Sequence, residues 1–218
     1  MPASAAETRA GRLERLRGLY AIVGGADPVA QSRAAIAGGA AVVQVRLKDR
    51  PSGEILEIAR RVIEVARGRA LVLVNDRADL AALAGADGVH VGDEDLPPAD
   101  ARRVVGPDRL VGRTARTLEE ARAAVAGGAD HVGFGPVHAT RTKALAVPPR
   151  GLGPLREVCG ALGAPVVAIG GIDLAGIGAV AAAGAACAAV VDALFGAGDA
   201  EANARALAEA FAAGRNAP

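Results

Sequence analysis

The stretch Ala37-Gly38-Gly39-Ala40-Ala41-Val42-Val43-Gln44-Val45-Arg46-Leu47-Lys48 decides the fold. Before it, Asp27 to Ala37 has helical spacing, with Val29, Ala30, Ala34 and Ile36 apolar. Gly38-Gly39 stops that helix, as glycines past a helix C-terminus often do. The apolar run Ala40–Val43 then reads as a buried strand. The same punctuation recurs as Ala84-Gly85-Ala86-Asp87, Ala126-Gly127-Gly128-Ala129 and Ala183-Gly184-Ala185-Ala186, each ahead of another apolar run. A helix end that turns sharply into a buried strand is thus the repeating unit of the chain.

Outward from that stretch, the strands are Leu19–Val23, the second strand itself, Leu71–Val74, Gly88–Val91, Leu110–Gly112, His131–Phe134, Pro165–Ile169 and Ala188–Val191. Helices are expected from Ser52, as N-cap, to about Ala66, over Ala78–Ala84, after Pro97-Pro98, over Leu118–Ala126 behind a Thr117/Glu120 capping box, and from about Asp199 to Ala212. Gly135 to Gly153 is the longest irregular stretch. Short apolar strands alternating with helices imply a parallel sheet. Eight such units closing on themselves imply the α/β class and a (β/α)8 TIM barrel. The barrel is expected as a single domain over 18–218, behind an N-terminal extension or first helix over 1–17. An open doubly wound sheet is the runner-up, but Val23-Gly24-Gly25-Ala26 does not match the dinucleotide fingerprint.

Composition narrows the function. The 218 residues are 51% hydrophobic and 22% charged, with a net charge of +1. This is a globular chain with no general basic surface, so neither nucleic acid nor membrane is expected as a partner. With no Trp, one Tyr and three Phe it lacks a stacking platform for single strands. Cys159 and Cys187 form no ligand pattern and are expected as buried small apolar residues. No apolar run reaches the ~20 residues of a membrane span. The N-terminus carries Arg9, Arg12, Arg15 and Arg17 without an apolar core, unlike a secretory signal. A cytoplasmic protein is expected, and a homo-oligomer is left open.

Along a strand, side chains alternate faces. Gln44, Arg46 and Lys48 therefore share one, which reads either as a clamp for a polyanion or as a salt-bridged sheet edge. In a barrel the active site lies at the carboxyl ends of the strands. Polar residues collect there: Asn75 and Asp76 after the third strand, Asp95 after the fourth, Arg113 and Thr114 after the fifth. Thr140, Thr142 and Lys143 follow the sixth, Gly170-Gly171 the seventh and Asp192 the eighth. Arg77 and Asp79 read as a solvated helix start. Asp76 and Asp95 could be helix caps; beside Arg46 and Lys48 they read better as ligands of one Mg2+, which takes one or two carboxylates plus phosphate oxygens. Gly170-Gly171 and the start of the last helices offer backbone N–H groups for a single phosphate. Two phosphorylated ligands are expected, one on each side of the mouth. His90 and His131 lie within strand runs and are expected to be packed structural residues.

The chain resembles the thiamine-phosphate synthase family from about Leu19 to Phe211. The resemblance rests on Gln44-x-Arg46-x-Lys48, Asn75-Asp76-Arg77-x-Asp79, Gly88-Val89-His90-Val91-Gly92-x-Glu94-Asp95-Leu96-Pro97 and Gly133-Phe134-Gly135-Pro136-Val137. It also rests on Thr140-x-Thr142-Lys143 and Val167-Ala168-Ile169-Gly170-Gly171-Ile172. It implies a Mg2+-dependent transferase of thiamine biosynthesis. Such an enzyme joins a pyrimidine methyl diphosphate to a thiazole phosphate, plain or 2-carboxylated, through a dissociative, carbocation-like path with loss of pyrophosphate. It implies that Gln44, Arg46, Lys48 and Asn75 hold the diphosphate and that Asp76 and Asp95 bind the metal. Lys143 would act on the departing pyrophosphate. Thr140, Thr142, Gly170, Gly171, Val191 and Asp192 would line the thiazole phosphate site. The catalytic set so implied is Lys143, Arg46 and Thr114.

Three positions depart from the family pattern. Val23-Gly24 replaces Thr-Asp, Thr114 replaces a serine, and Asp192 replaces a serine that holds the thiazole phosphate. An ionised carboxylate beside a phosphate is unfavourable, so Asp192 is expected to turn away and cap the short helix that follows. The alternatives are a thiazole tautomerase, with His138 as its catalytic histidine, and a non-catalytic barrel that binds phosphate ligands.

Overall fold

The computed structural model describes residues 7–139 and 148–216. Eight strands, β1 (Gly18–Val23), β2 (Val42–Val45), β3 (Leu71–Asn75), β4 (Gly88–Val91), β5 (Leu110–Ala115), β6 (His131–Phe134), β7 (Val166–Ile169) and β8 (Cys187–Val190), pair in parallel and in sequence order. β8 closes on β1 through the register Tyr20↔Ala189, so the barrel is closed and leaves no edge. That removes the salt-bridged-edge reading of Gln44–Lys48 and excludes the open sheet.

The helices are α1 (Arg9–Arg15), α2 (Pro28–Ala37), α3 (Ser52–Ala66), α4 (Ala78–Ala84), α5 (Pro98–Val105), α6 (Leu118–Ala126), α7 (Leu152–Ala161), α8 (Ile177–Ala182), α9 (Asp192–Phe195) and α10 (Ala200–Arg215). No helix among the described residues is long and apolar enough to cross a membrane.

The repeated glycine turn has one hydrogen-bonding solution. Gly39 N–H donates to Ile36 C=O and Ala40 N–H to Ala35 C=O, and Gly128 and Ala129 repeat the pair on Val125 and Ala124. Gly39 and Gly128 sit at φ of 98° and 97°, the left-handed cap that glycine adopts without Cβ strain. Each turn satisfies orphan helix carbonyls and launches the next strand inward.

Strand alternation sorts the core into two layers. Tyr20, Ile22, Val42, Leu71, Leu73, Leu110, Val167, Cys187 and Ala189 fill the barrel interior. The alternate residues, such as Ala21, Val43, Val72 and Val132, pack outward against the helices. α1 closes the amino end: Leu16, 2% exposed, joins the interior cluster and Leu13 packs beside it. A fully buried leucine contributes about 1.5–3 kcal/mol. Arg12 fastens the helix to Asp87 at 2.9 Å, and Arg9 reaches Asp130 at 3.6 Å.

Four local expectations are corrected. Pro51, not Ser52, occupies the N-cap of α3; Ser52 is the first helical residue and its hydroxyl accepts from Arg77. Thr117 caps α6 as expected, but Glu120 reaches back to the N–H of Arg116, one residue beyond the Thr117 N–H of a full capping box. β5 runs on through Arg113 and Thr114, because both pair with β6 opposite Val132 and Gly133. Cys187 is buried, but Cys159 is only half-buried.

Candidate active site

A cavity of about 680 Å³ opens at the carboxyl ends of the strands. Every described residue assigned to the site lines it: Gln44, Arg46, Lys48, Asn75, Asp76, Asp95, Thr114, Gly170, Gly171, Val191 and Asp192. Thr140, Thr142 and Lys143 lie outside the described residues.

The clamp divides by depth. Gln44 is the last interior residue of β2, 3% exposed, and its Nε2 donates to the Tyr20 hydroxyl at 2.7 Å. Tyr20 comes from β1, two residues before Ile22, which stands opposite Gln44. Burial pushes the Tyr20 phenol far up, so it stays neutral and serves as a hydrogen-bonding post for Gln44. Past the strand end, Arg46 is half-buried on the cavity wall and Lys48 reaches the rim, where its Nζ stands 3.1 Å from Asp76 Oδ2.

Asp76 follows β3 in the left-handed region at φ 63°. Its N–H donates to His90 C=O at 2.7 Å, which fixes the loop end against β4. Asp95 is held by a tight turn in which Gly92 N–H donates to Asp95 Oδ2 at 2.6 Å. Neither carboxylate caps a helix: the cap positions of α4 and α5 are Arg77 and Pro97. The two carboxyl groups meet. Burial, and then the Asp95 carboxyl beside it, push Asp76 above the usual carboxylate range, with Lys48 opposing. Anionic oxygens gathered against their mutual repulsion suit a divalent cation, so the donor set fits Mg2+. Among the described residues no group of three or more His, Cys, Asp or Glu could hold a metal by itself.

Arg77 and Asp79 form the exposed pair expected of a helix start, with Arg77 Nε donating to Asp79 Oδ1 at 2.9 Å. Beyond the assigned set, Arg116 also lines the cavity and pairs with Asp93, which Arg113 approaches at 3.7 Å. Gln31 reaches back from α2, and its Oε1 accepts from Gly24 N–H at 3.0 Å. His90 packs against Gly112 and Gly133 and also forms part of the cavity wall, where its Nε2 lies 3.1 Å from Thr114 Oγ1. The signal for it was phase, since His90 stands on the same face of β4 as Gly88. His131 is fully buried, as expected of a packed residue. His138 is not among the cavity-lining residues.

On the opposite wall, Gly170 and Gly171 hold φ of 102° and 58°. Cβ atoms there would lie 2.6 Å from Pro136 Cβ and 2.2 Å from Ala139 O. Only glycine lets the loop after β6 close onto the loop after β7, where Val137 N–H donates to Ile169 C=O and His138 N–H to Gly170 C=O. Asp192 is the first residue of α9; Val191 holds the cap position, without a side-chain cap bond. Asp192 was expected as the capping residue, and the cap position is instead one residue earlier.

Comparison with known proteins identifies the family. A family model described as thiamine monophosphate synthase matches residues 19–194. A thiamine-phosphate synthase of Anaeromyxobacter dehalogenans is 68% identical over 215 residues, covering 99% of this chain and 97% of that one. A thiamine-phosphate synthase of Myxococcus xanthus is 52% identical over 181 residues, 83% of each chain. The solved thiamine phosphate pyrophosphorylase of Pyrococcus furiosus superposes with a TM-score of 0.84 at 34% identity, covering 92% of this chain and 98% of that one. The chain belongs to the thiamine monophosphate synthase family and is, with it, a transferase.

Proposed function

We propose that the chain condenses 4-amino-2-methyl-5-pyrimidinylmethyl diphosphate with 4-methyl-5-(2-hydroxyethyl)thiazole phosphate, or its 2-carboxy form, to thiamine phosphate and pyrophosphate. One observation supports this most: Arg46, Lys48, Asn75, Asp76, Asp95 and Thr114 leave four successive strands and converge on one cavity. Cations and carboxylates side by side suit a metal-bound diphosphate better than either set alone.

The bond that breaks joins the pyrimidine methylene to the diphosphate oxygen, and its electron pair leaves with the diphosphate. The ring amino group spreads the resulting positive charge, and the thiazole nitrogen then supplies the pair for the new C–N bond. No side-chain nucleophile is required. The chain's work is to hold the partners in line and stabilise the charge that develops on the leaving group. Arg46 and Lys48 would bind the diphosphate oxygens, and Asn75 and the Thr114 hydroxyl would add donors. Asp76 and Asp95 would hold Mg2+, which supplies positive charge to the leaving group when bound. Lys143, Thr140 and Thr142 complete the site in this reading. Gly170, Gly171, Val191 and Asp192 would present backbone N–H groups to the thiazole phosphate.

The test is incubation of the purified chain with both substrates and Mg2+, following thiamine phosphate and pyrophosphate by chromatography. Equimolar formation of both is expected. If both substrates bind and neither product forms, the chain is a non-catalytic binding barrel.

A further inference from the structure

Two histidines, one buried and one on the cavity wall, form a unit that the substrate reading does not use. His131, on β6, is fully buried, and neither of its ring nitrogens has a hydrogen-bond partner. Its neighbour His90, on β4, has Nε2 on Thr114 but leaves Nδ1 unpartnered. The ring centroids are 5.6 Å apart. Between them, on β5, is Gly112. A Cβ there would lie 2.2 Å from His131 Nε2 and 2.5 Å from His90 Nδ1. The two nitrogens thus border one small gap that exists because residue 112 has no side chain. Gly133 makes room in the same way, since its Cβ would lie 2.8 Å from a ring carbon of His90. Buried polar atoms are paired as a rule, and these two are not.

We propose that His131 is a positioning residue that sets the proton of His90 and, through it, the direction of the Thr114 hydroxyl. His131 Nε2–H donates to His90 Nδ1 through one bridging water. His90 then carries its proton on Nε2 and donates it to Thr114 Oγ1. Thr114 already accepts that bond, so its own proton turns into the cavity, towards an anionic leaving group. The opposite tautomer would make Thr114 the donor to His90 and leave only lone pairs facing that anion. The arrangement needs neutral rings, and for His131 full burial pushes the imidazole down to about 3. The chain of donors rests on the reading that a diphosphate lies beside Thr114.

The test is 15N NMR of the histidine rings of the whole chain at neutral pH, beside steady-state kinetics of His131→Phe and His131→Gln. The Nε2–H tautomer is expected for His90, with Nδ1–H appearing in His131→Phe. For that variant kcat should fall about tenfold, less than the ~10²–10³ of removing a direct donor, with both KM values held. His131→Gln, which keeps an N–H donor, should recover most of the loss. In a Thr114→Ala background, His131→Phe should cost almost nothing further. A His90 found as Nδ1–H in the unmutated chain overturns the proposal, as does an unchanged tautomer in His131→Phe. Should the chain make no thiamine phosphate, the transferase reading fails while the NMR result still decides the relay. If His131→Phe does not fold, His131→Gln and the unmutated spectrum decide it.

Discussion

Removing one charge from the carboxylate pair should stabilise the metal-free protein. Asp76 and Asp95 meet at the cavity wall, and Asp76 is held above the usual carboxylate range by burial and then by Asp95. Two like charges about 4 Å apart repel by about 4 kcal/mol at an effective dielectric near 20. Lys48 Nζ, 3.1 Å from Asp76, offsets most of that, leaving on the order of 1 kcal/mol. Asp76→Asn keeps the shape and suits the backbone, because asparagine tolerates the left-handed conformation at φ 63°. The loss of the Lys48 partner is already counted in that balance. The expected gain is about 2–4 °C in Tm for a chain of this size, read by calorimetry at pH 8 in EDTA.

The sign follows from linkage. A carboxyl whose folded pKa is raised holds its proton more tightly in the folded state. Its stabilising contribution is complete below the unfolded value of 3.8 and is lost as pH rises through the raised value. The gain from Asp76→Asn should therefore shrink towards acid pH and reach its full size near neutrality. Millimolar Mg2+ should reverse the order, raising the Tm of the unmutated chain more than that of the variant. A variant less stable than the unmutated chain at pH 8 in EDTA, or an equal response of both to Mg2+, would refute the reasoning.

Tyr20→Phe removes the acceptor of the 2.7 Å bond that fixes Gln44, so diphosphate-substrate KM should rise several-fold while the Tm falls by only a few degrees. Gly170→Ala drives a Cβ to within 2.6 Å of Pro136 Cβ at a φ of 102°, and should cost about 2–4 kcal/mol in urea unfolding and weaken thiazole phosphate binding. Gly38→Ala places a Cβ 2.4 Å from Glu201 O, where α10 docks, and should cost a similar amount with kcat unchanged.

Much of the fold was legible because its signals are local. The glycine turn at Gly38-Gly39 acts through bonds spanning five residues, so its repetition marked the entries into β2, β4, β6 and β8. The assigned site residues lie at strand ends, and barrel closure alone brings them together. What stayed hidden depends on register between strands. Nothing local says that Tyr20 supports Gln44, since that contact follows from Ile22 standing opposite Gln44. The extension of β5 through Thr114 reflects pairing with β6 rather than any propensity of Arg113-Thr114. His90 read as packing because an interior position was not distinguished from an outward one. The closeness of His131 to His90 came into view only with Gly112, whose missing side chain is a fact about three strands at once.

The central claim is that Asp76 and Asp95 form the metal wall of a diphosphate site, and calorimetric binding of pyrophosphate tests it most directly. The account predicts binding in Mg2+ that weakens at least about 100-fold, or ~2.7 kcal/mol, in EDTA and in the Asp76→Asn/Asp95→Asn double variant. Equal affinity under all three conditions would contradict it.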